Sequence, residues 1–146
     1  GKYYSQSISE ALEKSEAVPN LKVMDFIGCM DYAYAAADLV VSRAGASSIS
    51  ELCLLGKPCV LVPSPNVAED HQTQNALALS SKDAAIFVAD KEAKEKLVQT
   101  ALETVTNDER LLSLSENVKK LAFLNSSDII AEEVYKLAVE YKKRNN

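Results

Sequence analysis

DLVVSRAGASSISELCLLGKPCVLVP, residues 38–63, decides the fold. Leu39-Val40-Val41 is a short apolar run of the kind that forms a buried parallel strand. Ser42-Arg43-Ala44-Gly45-Ala46 reads as a turn. Ser48 to Leu55 reads as a helix, with Ile49, Leu52, Cys53 and Leu55 on its buried side. Gly56 stands where a helix needs a left-handed residue to stop. Pro58-Cys59-Val60-Leu61-Val62-Pro63 is a second buried strand, with prolines at its ends, where a missing N–H costs least. A strand, a helix and a strand joined by short turns form a parallel crossover unit.

The alternation continues on both sides. Upstream, Ser5 to Lys14 predicts a helix with Ile8, Ala11 and Leu12 on one face. Val18-Pro19-Asn20 breaks it, Leu21 to Ile27 predicts a strand, and Met30 to Ala37 a short helix. Downstream, a polar loop runs through Asp70, a plausible N-cap for a helix from His71 to Ser80. Ala84 to Ala89 predicts a further strand. After Asp90 the pattern is helical throughout: Lys91 to Thr104, Asp108 to Leu121 and Ser127 to Lys143, separated by Asn107-Asp108 and Asn125-Ser126-Ser127-Asp128. The expected class is α/β, a Rossmann-like parallel sheet with helices on both faces. No linker divides the chain, so residues 1–146 read as one domain with a helical C-terminal segment from about 91.

Composition excludes several functions. The chain is 47% hydrophobic and 25% charged, which argues for a packed core and against disorder. A net charge of −5 gives no basic footprint for nucleic acid. No run of about 18 apolar residues is present to cross a bilayer. The start, Gly1-Lys2-Tyr3-Tyr4, is neither a signal peptide nor an initiator Met, and reads as part of a longer protein. Lys142, Lys143 and Arg144 complement the dipole of the last helix; without a large apolar face they anchor poorly to a membrane. Cys29, Cys53 and Cys59 form no C-x-x-C pair and read as buried thiols in a reducing compartment. His71 has no second His or Cys spaced to share a metal, so no metal site is expected. No G-x-G-x-x-G occurs, which argues against a nicotinamide-binding domain.

Ligands of open parallel sheets bind beyond the carboxyl ends of the strands. That rule selects the loops after Ile27, Val41 and Val62. The turn after Val41 places free backbone N–H groups and a positive helix end where a phosphate would sit. Gly45 permits close backbone approach, Ser47 and Ser48 add hydroxyl donors, and Arg43 either adds charge or braces the turn. Ser48-Ile49-Ser50-Glu51 also fits a capping box, in which Glu51 bonds back to the helix start. Gln72, near the next helix start, offers a donor and an acceptor suited to sugar hydroxyls, or is an ordinary first-turn residue.

Several segments together resemble the MurG family of glycosyltransferases (family 28, GT-B architecture). They are Asp25-Phe26-Ile27-Gly28-Cys29-Met30, Ala36 through Ala46, Ser50-Glu51, Gly56-Lys57-Pro58, Leu61-Val62-Pro63, and Asp70-His71-Gln72 with Asn75-Ala76. The stretch that carries the signature is about Phe26 to Ala76. The resemblance implies two Rossmann-like domains facing a cleft, of which this is the C-terminal one. It implies a UDP-N-acetylglucosamine donor and transfer, with inversion, to the C4 hydroxyl of undecaprenyl-pyrophosphoryl-MurNAc-pentapeptide in peptidoglycan synthesis. It implies neither an essential metal nor a cofactor, and a peripheral location on the cytoplasmic face of the membrane. Residue by residue, it assigns Ile27 to the uracil and Met30 to packing beside the nucleotide. It places Ala46, Ser47 and Ser48 along the diphosphate, Glu51 on the ribose, and His71 and Gln72 on the sugar. Arg43 is left between a structural and a diphosphate-facing role. The family often carries Gln-Gln where this chain has His71-Gln72. A donor-binding subunit of a split transferase and a UDP-sugar epimerase share the architecture and stay open at this point.

The family's domain normally opens with a strand and a Gly-Gly-Ser-type loop, and neither stands before Gly1. The acceptor-binding N-terminal domain, which would supply a general base and receive the lipid-linked acceptor, is likewise outside the chain. The 146-residue chain on its own is therefore expected to transfer no N-acetylglucosamine to a lipid-linked acceptor, which a radiolabelled-donor assay checks.

Overall fold

The computed structural model describes Glu10, residues 20–65 and residues 70–145. The chain divides into two compact units, Gly1–Ala37 and Asp38–Asn146. The helix expected over Ser5 to Lys14 lies outside the described residues except for Glu10, which is helical.

In the first unit, helix α1 covers Met30–Ala36 and buries Tyr34. The strand expected over Leu21 to Ile27 does not form; this segment is irregular and exposed. Extended backbone becomes a strand only where another strand takes up its N–H and C=O groups, and no ladder includes these residues among those described. An apolar pattern cannot supply the missing partner.

The second unit is built on three parallel strands in the order β1 (Val40–Ser42), β2 (Cys59–Leu61), β3 (Ile86–Phe87). Val40 pairs with Cys59, Ser42 with Leu61, and Leu61 with Phe87. Helix α2 (Ala46–Leu55) connects β1 to β2, and α3 (His71–Ser80) connects β2 to β3. Three helices follow: α4 (Asp90–Val105), α5 (Asp108–Lys119) and α6 (Ser126–Arg144). These bounds lie close to the sequence expectation, except that β3 is two residues long rather than six.

β2 is buried along its whole length. Its side chains alternate between the two faces of the sheet. Val60 and Val62 cluster with Val88, and Ala93 and Leu97 of α4 pack against them. Cys59 and Leu61 point to the opposite face, where Cys53 of α2 lies close enough to disturb the Cys59 thiol. Right-handed crossovers put α2 and α3 on that same face. Helices therefore cover both faces, as the sequence pattern predicts.

Two clamps attach α5 to this core. Gly56 ends α2 in the left-handed conformation, φ 63°. Its carbonyl accepts the Ser115 hydroxyl at 2.7 Å, and Leu114 and Val118 of α5 are fully buried. Burying a side chain of that size contributes about 1.5–3 kcal/mol. The second clamp holds the turn after α3. Asp83, at φ 53°, accepts from Arg110 at 2.7 Å through its carboxylate and from Asn117 at 3.2 Å through its carbonyl. The side-chain oxygen of Asn107 accepts the amide of Arg110 at 2.9 Å and so caps α5 as expected. Helix α6 buries none of its residues and exposes Ile130, Val134, Leu137 and Tyr141 along one side. Among the described residues no helix is long and apolar enough to cross a membrane.

Two outcomes follow from the clamps. Gly56→Ala forces a Cβ into left-handed backbone, with Lys119 side-chain carbons 3.4–3.5 Å away. It should cost roughly 1–2 kcal/mol and lower the thermal midpoint by several degrees in a circular-dichroism melt. The hydrogen bond from Arg110 holds the Asp83 carboxyl below its ordinary value. A depressed folded pKa gives stability that is present above about pH 4 and lost as pH falls through the folded value. The Asp83 side chain is 56% exposed, so the effect is small. Arg110→Ala should flatten the acid limb of a plot of thermal midpoint against pH.

Candidate functional site

The parallel ladder brings the loops after β1, β2 and β3 to one edge of the sheet. There Gly45 forms the N-cap of α2 in extended backbone, φ −71° and ψ 148°, and its carbonyl accepts the Ile49 amide at 3.0 Å. No side chain caps this helix and no acidic residue occupies its first turn. The amides of Ala46, Ser47 and Ser48 have no acceptor within the helix. Ala46 and Ser47 are exposed and Ser48 is half-buried. A Cβ placed on Gly45 would meet nothing within 4 Å. Since φ −71° suits any residue, the backbone does not require a glycine here, and the space beside these amides is open.

The helix begins two residues earlier than the sequence pattern indicates, and this removes the capping box. With Gly45 as N-cap, Glu51 is the sixth helical residue rather than the third. It cannot close a box from that position. Glu51 is exposed and shares a side of α2 with Ser47 and Ser48, four and three residues before it.

Helix α3 starts at the same edge. Asp70 occupies its N-cap position at φ 54°, but its carboxylate accepts the Thr73 hydroxyl at 2.6 Å instead of a backbone amide. His71 is exposed and Gln72 half-buried. The side-chain oxygen of Gln72 accepts the Ser64 amide at 2.8 Å, leaving its NH2 group as the end that can donate to a ligand. Asn75, one turn later, donates to the Ala44 carbonyl at 3.2 Å.

Arg43 braces the edge. Its Nη1 donates to the carbonyls of Val62 at 3.2 Å and Pro63 at 3.1 Å, and pairs with the carboxylate of Asp90. Of the two roles left open in the sequence, this geometry matches bracing. The structure thus brings Arg43, Ala46, Ser47, Ser48, Glu51, His71 and Gln72 to one region of the second unit. Ile27 and Met30 belong to the first unit, both partly exposed, with Met30 opening α1. Two residues were not assigned a role in the sequence. Asn75 lay within the family motif without one, and Asp90 carried no signal beyond standing at a helix start.

Cavities of about 280 and 390 Å3 flank Asp90 at this edge. The first is walled by Val41, Arg43, Val62 and Leu97, the second by Pro63, Asp70, Thr73 and Phe87. A larger apolar cavity of about 790 Å3, lined by Ile49, Leu54, Leu79 and Phe123, includes neither first turn of α2 or α3. Size alone therefore does not mark the candidate site.

A parallel sheet with helices on both faces and an uncapped helix end at its carboxyl edge defines a Rossmann-like domain. A crystal structure of MurG from Acinetobacter baumannii superposes with a TM-score of 0.80 at 26% identity, over 93% of this chain and 41% of that one. Residues 1–132 match the family model of the glycosyltransferase family 28 C-terminal domain, and the chain belongs to that family. Among curated relatives, the UDP-N-acetylglucosamine–N-acetylmuramyl-(pentapeptide) pyrophosphoryl-undecaprenol N-acetylglucosamine transferase of Bacteroides fragilis is 62% identical over 138 residues. That alignment covers 94% of this chain and 36% of the relative. The protein of the same name from Phocaeicola vulgatus is 57% identical over 99% of this chain and 39% of its own length. The chain thus spans well under half the length of these relatives.

Two of the three thiols are sheltered from this site. Cys53 and Cys59 are buried, and Cys29, contrary to expectation, is exposed in the segment leading to α1. It lies outside the sheet that shelters the other two. Burial, and secondarily the neighbouring Cys53, push the Cys59 thiol up to about 12; burial raises Cys53 as well. Thiols held protonated are poor nucleophiles. In the native chain only Cys29 should react promptly with a thiol reagent near neutral pH, whereas all three should react after denaturation, as mass spectrometry of the labelled protein would show.

Proposed function

We propose that this chain is the donor-binding part of an inverting transferase that moves N-acetylglucosamine from its UDP carrier to the C4 hydroxyl of undecaprenyl-pyrophosphoryl-MurNAc-pentapeptide. The observation that carries this reading is the bare amino end of α2. Helices α4 and α5 answer their positive ends internally, with Asp90 and Glu92 and with Asp108 and Glu109. Helix α2 has neither an acidic first turn nor a capping side chain. Its dipole and three unsatisfied amides remain for an external anion at the edge where such sheets bind nucleotides. The diphosphate of a UDP-sugar fits that demand, and the names of relatives at 57–62% identity supply the sugar and the acceptor.

In this reading the amides of Ala46, Ser47 and Ser48 hold the diphosphate. They stabilise the charge that grows on UDP as the bond to the anomeric carbon breaks. Glu51, on the same side of α2, takes the ribose hydroxyls. The NH2 of Gln72 donates to a sugar hydroxyl while its oxygen stays on Ser64. His71 lies beside it on the sugar. Residues 1–146 form one donor domain, helical from about 91, of a longer protein that meets the lipid-linked acceptor at the cytoplasmic face of the membrane.

Titrating UDP-N-acetylglucosamine into the chain and following amide shifts should move Ala46 to Glu51 and Gln72. Gly45→Ala should leave the melting temperature unchanged, because its Cβ enters open space, and weaken UDP binding at least about tenfold by crowding the amides. A folded chain whose amides ignore the ligand would sink the reading.

A further inference from the structure

We propose that Arg43 and Asp90 form a positioning device for the donor turn: Asp90 holds the Arg43 guanidinium on the carbonyls of Val62 and Pro63 and off the diphosphate. This rests on the donor-site reading above. The nitrogen Nη1 carries two hydrogens and serves three acceptors, two carbonyls and one carboxylate. Only the carboxylate is charged, so it is the strongest of the three holds. The two side chains are 49% and 36% exposed. Without Asp90, neutral carbonyls alone would retain a mobile cation two residues from the amino end of α2. An incoming diphosphate would then compete for it.

The turn is gripped from both sides. Arg43 ties its start to the end of β2, and Asn75 ties the next residue, Ala44, to α3. Gly45 and the free amides follow at once. Their direction is set by residues that do not reach the ligand themselves, and misplacing donors by about 1 Å is enough to lose much of their effect. An exposed ion pair contributes little to global stability. The consequence of breaking it should therefore appear in ligand affinity more than in melting.

The test uses Asp90→Ala, Asp90→Glu, Arg43→Ala and Arg43→Lys in this chain, with calorimetric titration of UDP and amide hydrogen exchange. Asp90→Ala should weaken UDP about tenfold, Arg43→Ala at least as much, and Asp90→Glu should recover to within about threefold. Arg43→Lys should not recover, because an ammonium cannot reproduce the planar fork. The Ile49 amide, bonded to the Gly45 carbonyl, should exchange several-fold faster in Asp90→Ala while α6 is unchanged. If Asp90→Ala binds UDP as tightly as the parent or tighter, while Arg43→Ala binds it weakly, Arg43 is a phosphate ligand and the proposal is overturned. If the parent itself does not bind UDP, the donor reading fails separately and Ile49 decides. Unchanged exchange there overturns positioning; faster exchange upholds it.

Discussion

The strand Cys59-Val60-Leu61 exposes no side chain to water on either face, and the rest of the second unit follows from that constraint. A strand buried on both sides needs a neighbour along each edge and a helix over each face. β1 and β3 supply the edges in parallel register. Helix α4 covers the Val60 face through Ala93 and Leu97, while α2 lies against the Cys59 face. Parallel pairing forces every crossover to return over the sheet, and so every strand sends its carboxyl end to the same edge. The candidate site lies at that edge because the topology leaves three loops and three helix starts there.

What distinguishes the start of α2 chemically is where charge has been left out. The chain has more acidic than basic residues, 21 against 16, and places carboxylates in the first turns of α4, α5 and α6. It places none in the first turns of α2 or α3. An anion therefore meets an uncompensated helix end at α2 in an otherwise acidic molecule, which favours local capture over long-range steering. Size points elsewhere: an apolar cavity of about 790 Å3, larger than the two beside Asp90, includes neither helix start.

The polar residues of the motif do more holding than their side-chain chemistry indicates. Arg43, Gln72 and Asn75 all spend hydrogen bonds on backbone groups of the loops around them. A loop at a sheet edge has carbonyls and amides that no ladder satisfies, and side chains from the next element are the nearest partners. One residue can thus brace a loop with one end of its side chain and leave the other end available, as Gln72 does with its oxygen on Ser64.

The class of fold and most of its helices were legible in the residues alone. Periodicity, Gly56 as a stop and Asn107 as a cap are local physics, and the structure keeps them within a residue or two. The sequence also marked the ends of two strands through prolines and glycines, and the structure brings the loops after both, though not one after Ile27, to a common sheet edge. The family match continues past the motif-bearing stretch to residue 132, through helices whose periodic pattern carries no signature of its own. Tertiary structure decided the rest. Leu21 to Ile27 has a strand's composition without a strand's partner, and pairing is a property of two segments. Glu51 lost its capping role because the helix start moved to Ala46, a choice that depends on how the turn is clamped. The Arg43–Asp90 pair joins residues 47 positions apart. No local pattern encodes such a contact; only the parallel ladder, by bringing the ends of β1 and β3 to one edge, makes it.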